Sequence, residues 1–173
     1  MQSSAPQRVA TIGVYEHSAD SFLAALDTAG VTRLLDIRQR RGVRGPWYAW
    51  ANARRLQALL ERAGISYEHH PEFAPTTELR ELQYIEDDRQ GVGKRSRERL
   101  SPEYVRRFTA EILDLVPIEV LARRLPIHGI GALMCVEATA LACHRSLVAA
   151  RLAERLGYEV VDLEPADPRA GAN

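Results

Sequence analysis

The chain has only two cysteines, Cys135 and Cys143, and both lie close to an acidic residue, a histidine and an arginine. Cys143, His144 and Arg145 are predicted to occupy the first turn of a helix. Unbonded backbone N–H groups and the positive end of the helix dipole at that position attract anions and lower the pKa of a thiol. The spacing predicts Cys143 as a catalytic nucleophile and His144 as its acid–base partner. The alternative is that Cys143 is a small buried hydrophobic side chain.

Cys135 and Glu137 are two residues apart on a predicted strand, so their side chains share one face. Cys135 lies deeper in the apolar run and is expected to pack there or to contact the substrate. Glu137, at the end of the strand, is predicted to be a catalytic carboxylate that orients a basic partner or accepts a proton. A salt bridge from Glu137 to Arg38 or Arg145 is the structural alternative.

A metal centre is a further alternative, because several residues with metal-ligating side chains could converge. They are Cys135, Cys143, His144, His17, His69 and His70. Their spacing matches no compact zinc signature, and the adjacent Cys143 and His144 would point apart on a helix. The sequence therefore predicts no metal ligand and no cofactor, with a metal-dependent enzyme as an alternative.

Alternating strands and helices must position these side chains. Short β-branched or continuously apolar runs predict strands, and apolar residues at helical spacing predict the helices between them. The predicted strands span 9–14, 31–38, 65–73, 129–137 and 158–163, and the main helices 18–30, 49–63, 102–115 and 142–156. This order predicts an α/β three-layer sandwich with a mainly parallel sheet of four or five strands. We expect one domain over 9–164, with flexible ends at 1–8 and 165–173.

Parallel sheets bind ligands outside the carboxyl ends of their strands. His17 and Ser18 follow the first predicted strand, Asp36 and Arg38 end the second, and Glu137 ends a later one. These side chains are therefore expected at one rim of the sheet. Asp36 and Arg38 share a strand face, which is commonly the arrangement of a buried structural ion pair, and anion binding by Arg38 is the functional alternative.

A loop rich in arginine and aromatic residues follows the second predicted strand. It contains Arg38, Arg40, Arg41, Arg44, Trp47, Tyr48 and Trp50. Interleaved basic and aromatic side chains can hold phosphates and stack bases, so Trp47 is a candidate ligand contact. A solvated loop whose tryptophans anchor the next helix is the alternative. A second charged stretch, "GVGKRSRER", is predicted to be either a lid or a surface excursion.

Composition limits the classes of protein to consider. Formal net charge is zero, which gives no overall attraction to nucleic acid or anionic membranes, although 22 of the 23 basic residues are arginine. Two cysteines cannot form the disulfide framework of a small secreted domain, and no stretch resembles a signal peptide or a membrane span. We therefore expect a soluble, cytoplasmic protein with no membrane partner.

Two segments resemble one known family. "TIGVYEHSADSFLAALDTAGVTRLLDIRQ" and "ALMCVEATALACHRSLVAARLAERLGYEVVDL" resemble the domain of unknown function 488 family, whose most specific signature is a Cys-x-Glu pair before a Cys-His-Arg triplet. The chain departs from the pattern by placing Val14, Tyr15 and Glu16 before His17, and by replacing an "SRNP"-like segment with "RRGVRGPWYAW". The resemblance implies a small α/β fold, a polar cleft and a link to nucleotide or nucleic-acid chemistry. The matching residues are Gly13, His17, Ser18, Asp36, Arg38, Cys135, Glu137, Cys143, His144 and Arg145.

Together these observations predict an enzyme that acts on an anionic, phosphate-bearing small molecule or nucleic acid. The predicted catalytic residues are Cys143, His144, Glu137 and His17, and the predicted substrate-binding residues are Arg38, Arg145, Asp36, Ser18, Cys135 and Trp47. Arg38 and Arg145 would act as an anion clamp. A non-catalytic nucleic-acid-binding module is the main alternative, and a metal-dependent enzyme is another.

Overall fold

A computed structural model describes residues 6–166, which form a parallel five-stranded sheet in the order β3-β2-β4-β1-β5. The strands are β1 Arg8–Ile12, β2 Val31–Asp36, β3 Ser66–His69, β4 Ile130–Met134 and β5 Glu159–Leu163. The predicted α/β architecture is confirmed. Residues 1–5 and 167–173 of the predicted flexible ends lie outside the described residues, and Arg8 belongs to β1 rather than to a flexible end.

Helices connect the strands. They are α1 Ala19–Thr28, α2 Ala53–Arg62, α3 Thr77–Gln90, α4 Pro102–Phe108, α5 Glu119–Ala122 and α6 His144–Leu156. Side-chain oxygens cap three of their N-termini: Ser18 accepts from the backbone N–H of Ser21, and Thr76 and Ser101 accept in the same way from Leu79 and Tyr104. These bonds satisfy donors that have no partner inside the helix.

The sheet is covered on both faces, which gives the predicted three layers. Alternate residues of one strand point to opposite faces, so Ala132 and Met134 of β4 belong to one apolar core and Leu133 belongs to the other. α1 and α2 cover the first face, and the helices between β3 and β4, together with α6, cover the second. Continuous apolar strands are typical of a parallel sheet buried in this way.

Several boundaries differ from the predicted ones because of local backbone chemistry. Pro46 begins a 3₁₀ helix at Pro46–Ala51, and the α-helix starts only at Ala53. β3 ends at His69 because Pro71 cannot continue the ladder. α4 gives way to a π-helical turn, Thr109–Leu113, where the sequence predicts one continuous helix.

The connection from β4 to α6 crosses closely over the end of β1. Backbone N–H groups of Val14 and Tyr15 donate to the Val136 carbonyl, each at 2.9 Å. A Cβ atom on Gly13 would overlap the Glu137 carbonyl, so only glycine permits this approach. The crossing brings the Cys135–His144 segment to the carboxyl ends of β1 and β2.

No helix among residues 6–166 combines the length and apolar character that a membrane span requires.

Candidate functional site

A cavity of about 380 Å³ opens at the carboxyl ends of β1, β2 and β4. Its lining comes from the segments after β1 and β2, from residues between Pro75 and Tyr104 that include part of α3, and from the β4–α6 connection with His144. The lining side chains that can ionise are Tyr15, Arg38, Arg40, Arg44, Arg80, Tyr84, Lys94, Arg97, Tyr104, Cys135, Glu137, Cys143 and His144. Arg38 and His144, which lie far apart in the sequence, meet at one rim.

The floor of the cavity holds two thiols around one imidazole. Nδ1 of His144 lies 3.6 Å from Sγ of Cys135 and 3.9 Å from Sγ of Cys143. Oε2 of Glu137 lies 3.7 Å from Sγ of Cys135. All four residues are buried and line the cavity. We call Cys135, Glu137, Cys143 and His144 the floor cluster.

The protein holds the His144 ring in one orientation. Nε2 of His144 is 2.9 Å from the carbonyl oxygen of Ile37, which lies directly after β2, and the ring packs against Phe108 of α4. A carbonyl oxygen can only accept a hydrogen bond, so Nε2 carries a proton. Nδ1 is therefore the nitrogen that faces the two sulfur atoms.

Cys143 is the N-cap of α6 rather than a residue of its first turn, which corrects the predicted position. Its backbone is extended, with φ −135° and ψ 143°, and α6 begins at His144. Because Cys143 is not helical, its side chain does not diverge from that of His144 as two consecutive helical side chains would. Both side chains therefore reach the floor cluster.

Burial and mutual charge determine the ionisation of the floor cluster. Burial opposes ionisation of Cys143, but a hydrogen bond with Cys135 and the charge of His144 outweigh it and lower the pKa of Cys143. Burial and the neighbouring Cys143 raise the pKa of Cys135. Burial also raises the pKa of Glu137 to about 7. Burial disfavours the charged form of His144, but the charge on Cys143 outweighs it and raises the pKa of His144.

Two cations hold the Glu137 carboxylate from the side of α3. Nη2 of Arg97 donates to Oε1 of Glu137 at 3.1 Å, and Nζ of Lys94 lies 3.9 Å from the same oxygen. Arg97 also pairs with Asp87 of α3 at 2.6 Å and donates to the Ala142 carbonyl. The charged stretch after α3 is therefore part of the cavity wall, with Arg97 nearly buried in it.

A buried ion pair supports the side of the cavity formed by β2. Nε and Nη2 of Arg38 donate to the two carboxylate oxygens of Asp36 at 2.9 and 2.7 Å, and Nη1 donates to the Ala51 carbonyl. The Tyr67 hydroxyl donates to the same carboxylate at 2.6 Å. Arg38 reaches the cavity surface, whereas Asp36 lies beneath it. Asp36 thus orients Arg38 and is not exposed to a ligand.

The outer wall carries cations of a different kind. Among the described residues, Arg40, Arg44 and Arg80 form no salt bridge. Arg80 donates to two neutral partners, Gln39 and Tyr84. We call Arg40, Arg44 and Arg80 the wall arginines.

Arg145 does not join the cavity, contrary to its predicted role in an anion clamp. It is fully buried, and its guanidinium donates to Thr11 and to the backbone carbonyls of Glu137 and Ala138. These acceptors belong to β1 and the β4–α6 connection. Arg145 therefore fixes the loop that carries Glu137, and its guanidinium donates to groups of the protein itself.

The remaining predicted site residues, His17, Ser18 and Trp47, also lie outside the cavity lining. Nδ1 of His17 contacts Ser21, and Ser18 caps α1. Trp47 is 84% exposed on the 3₁₀ helix. Of the residues that follow β1, Tyr15 rather than His17 lines the cavity.

The contribution of α3 and the segment that follows it to the cavity was not predicted from the sequence. Gln83 and Asp87 are buried at i and i+4 on α3, in line with Leu79. Gln83 accepts from the backbone N–H of Ser101, and Asp87 binds Arg97. Polar residues on the buried stripe of a helix were the signal for a polar cavity on that side.

A second cavity, of about 570 Å³, lies between α1 and β5. Its lining is mainly alanine and aliphatic residues, with no cysteine or histidine. The larger volume therefore does not mark the more reactive site.

The fold and the site define an α/β protein with a cationic cavity above a Cys-Cys-His-Glu cluster. The chain belongs to the family described as "Domain of unknown function DUF488", whose sequence profile matches residues 18–152. The predicted family membership is thus confirmed, and its description names no activity. Comparison with curated proteins and with solved structures gave no match.

Proposed function

We propose that the chain is an enzyme that acts on an anionic, phosphate-bearing ligand bound in the cavity of about 380 Å³. One observation carries this proposal: cationic side chains that have no carboxylate partner among residues 6–166 line the same cavity as a buried cluster of reactive groups. A ligand held by the walls would present its reacting group to the floor cluster.

The distribution of charge favours an anion. Six cations line the cavity: Arg38, Arg40, Arg44, Arg80, Lys94 and Arg97. Arg38, Lys94 and Arg97 have carboxylate partners within 4.0 Å, but the wall arginines have none among the described residues. Planar guanidinium groups pair bidentately with phosphate oxygens, so the three wall arginines suit a phosphate group.

The floor cluster would supply the chemistry in one of two ways. In the version that the sequence predicts, Cys143 is the nucleophile, His144 exchanges protons with it and Glu137 orients the pair. In the other version, the sulfur and nitrogen atoms hold a metal ion. The arrangement of the donor atoms favours the second version, because Sγ of Cys135, Sγ of Cys143 and a ring nitrogen of His144 lie within 4.8 Å of one another.

Calorimetric titration with inorganic pyrophosphate and with AMP tests the binding step. Replacing Arg40 and Arg44 by glutamine should weaken binding by about tenfold per arginine, because each loses a charge-assisted hydrogen bond. Arg62→Gln, at the exposed end of α2, is the matched control and should bind as the wild type does. Equal affinities in all variants would contradict the proposed cavity.

Turnover needs its own assay. Wild-type chain incubated with a mixture of nucleotides and phosphate esters should convert at least one of them, detected by ³¹P NMR, and His144→Gln should not. If the wild type binds these compounds but converts none of them, the protein is a binding protein and the proposed enzymatic activity is contradicted.

A nucleic-acid-binding module is the second candidate. The observation that favours it is the 84% exposure of Trp47, on the segment that follows cavity residues Val43 and Arg44. An exposed indole beside arginines can stack on a base. Binding of a single-stranded oligonucleotide should then fall steeply with salt, weaken in Trp47→Ala, and survive Cys143→Ser. Insensitivity to salt would exclude this candidate.

A cytoplasmic location is part of the proposal. Cys135 and Cys143 are both free thiols, which fits a reducing compartment. Fractionation of cells that express the tagged chain, with antibody detection, is the test.

A further inference from the structure

We propose that Cys135, Cys143 and His144 form a zinc site at the floor of the cavity, with one coordination position open toward the ligand. The inference goes beyond the proposed function and does not depend on it, because the metal can be measured without any substrate.

The donor atoms are spaced for one tetrahedral ion. Zinc–sulfur distances of about 2.3 Å and zinc–nitrogen distances of about 2.0 Å separate a sulfur and a nitrogen ligand by about 3.6 Å. The distances from Nδ1 of His144 are 3.6 Å to Cys135 and 3.9 Å to Cys143. All three donor atoms lie within 4.8 Å of one another. Only small side-chain adjustments separate this arrangement from a coordinated one.

The hydrogen bond to Ile37 prepares His144 for coordination. Histidine ligands of metals usually donate their second ring N–H to a carbonyl or carboxylate, which fixes the tautomer and the ring plane. Nε2 makes that bond to the Ile37 carbonyl at 2.9 Å, so in the neutral ring the lone pair lies on Nδ1. This nitrogen is the one that faces both sulfur atoms.

The backbone of Cys143 removes the main geometric objection to a metal site at adjacent residues. Two consecutive helical side chains diverge by about 100° around the axis. The backbone of Cys143, however, is extended, with φ −135°, and Cys143 precedes α6 as its N-cap. Its sulfur therefore reaches the same nitrogen that Cys135 reaches from the end of β4.

The charge and the chemical softness of the three donor atoms favour zinc over other divalent metal ions. Two thiolates neutralise a Zn²⁺ ion, so the ion adds no net charge beside the Arg97–Glu137 and Lys94–Glu137 pairs. Thiolate and imidazole are ligands that suit zinc, whereas magnesium and calcium prefer oxygen. Three protein ligands with an open fourth position are typical of catalytic zinc. The Glu137 carboxylate lies 3.7 Å from Sγ of Cys135 on the cavity surface, close enough to the three donor atoms to orient a water bound to the ion.

The first test uses the wild-type chain. Protein purified with reductant, stripped with a chelator and dialysed should bind about one zinc per chain with Kd below about 1 μM, measured by competition with a chromophoric chelator. Magnesium should not compete. Cobalt in place of zinc should give the visible bands of tetrahedral coordination and a near-ultraviolet thiolate-to-cobalt band. Absence of zinc binding, or a cobalt spectrum without a thiolate band, would overturn the site.

Variants identify the ligands. Cys135→Ser, Cys143→Ser and His144→Gln should each weaken zinc binding by at least about a hundredfold. His70→Gln is the matched control, because His70 pairs with Glu68 and Glu72 outside the cavity. Zinc binding by all three ligand variants with wild-type affinity would contradict the assignment. Should a variant fail to fold, the cobalt spectrum of the wild type still decides.

The two proposals fail independently. The wall arginines do not ligate the metal, so Arg40→Gln/Arg44→Gln should lose pyrophosphate affinity and keep zinc. A wild-type chain that binds pyrophosphate but no zinc would refute only the zinc site, and a wild-type chain that binds zinc but no pyrophosphate would refute only the anion site.

Discussion

Two groups of arginines lie at the same edge of the sheet and differ in their partners. Arg38, Arg97 and Arg145 are buried and donate to carboxylates or carbonyls of the protein. The wall arginines Arg40, Arg44 and Arg80 line the same side of the molecule, but no carboxylate pairs with them among the described residues.

This difference separates arginines that stabilise the fold from arginines that can bind a ligand. A buried charge requires compensation inside the fold, so the partners of the first group belong to the protein itself. An exposed guanidinium such as that of Arg40 or Arg44 requires none, and its donors remain available to a ligand. Substitutions in the first group should therefore affect the free energy of unfolding, and substitutions in the second should affect affinity for an anion.

The largest expected effect is on the Asp36–Arg38 pair. Asp36→Ala leaves the Arg38 charge buried without its carboxylate and should lower the free energy of unfolding by about 4 kcal/mol. Urea denaturation followed by circular dichroism measures this. Asp27→Ala, an exposed aspartate at the end of α1, is the control and should change little. A loss below about 1 kcal/mol would show that Arg38 finds water or another acceptor.

The second-largest loss of free energy of unfolding is expected for substitution of Arg145. Arg145→Met keeps the volume but leaves the Glu137 and Ala138 carbonyls without their donor, at a cost of about 3 kcal/mol in the free energy of unfolding. Arg155→Met, on the exposed side of the same helix, should be neutral in the same urea assay. Equal stability of the two variants would mean that the β4–α6 connection does not depend on Arg145.

A smaller, pH-dependent effect is expected at Tyr67. Burial, followed by the charge of Asp36, raises the pKa of Tyr67 from 10 to about 12. The unfolded chain therefore loses this proton first, and the free energy of unfolding should fall as pH rises from 10 to 12. Allowing for solvent screening of a half-buried group, the loss is about 1 kcal/mol.

The measurement is urea denaturation across that pH interval for the wild type and Tyr67→Phe. The other tyrosines titrate in both proteins, so the difference between the two slopes isolates Tyr67. Parallel slopes would show that the hydrogen bond to Asp36 does not persist in solution.

The smallest effect on stability is expected for the wall arginines. Arg44→Gln removes an exposed charge without a salt-bridge partner in the described part of the chain, and should change the free energy of unfolding by no more than about 0.5 kcal/mol. A loss comparable with that of Arg145→Met would erase the distinction between the two groups of arginines.

Sequence patterns predicted the fold well where the signals are local. Apolar periodicity located β1, α1, β2 and α6, and the capping serines Ser18 and Ser101 marked two helix starts. The strand-end rule placed Arg38 and Glu137 at one cavity. Boundaries near Pro46 and Pro71 were less accurate, because proline fixes φ and removes a donor but does not select which short helix follows.

The direction in which each side chain points could not be predicted from the sequence. Nothing in "CHR" distinguishes an arginine that faces a ligand from Arg145, which turns to backbone carbonyls of its own connection. Nothing in "GVGKRSRER" indicates that Arg97 reaches Glu137 across the cavity. Both depend on contacts between residues that are distant along the chain or separated by an irregular loop.

The sequence by itself determined which chemical groups the protein has and which strand ends carry them, because period-two and helical patterns are properties of consecutive residues. Only the tertiary structure decided that Cys135, Cys143 and His144 converge within 4.8 Å. The physical reason is that convergence depends on the extended backbone of Cys143 and on the packing of β4 between β1 and β2, where glycine at position 13 permits a close crossing.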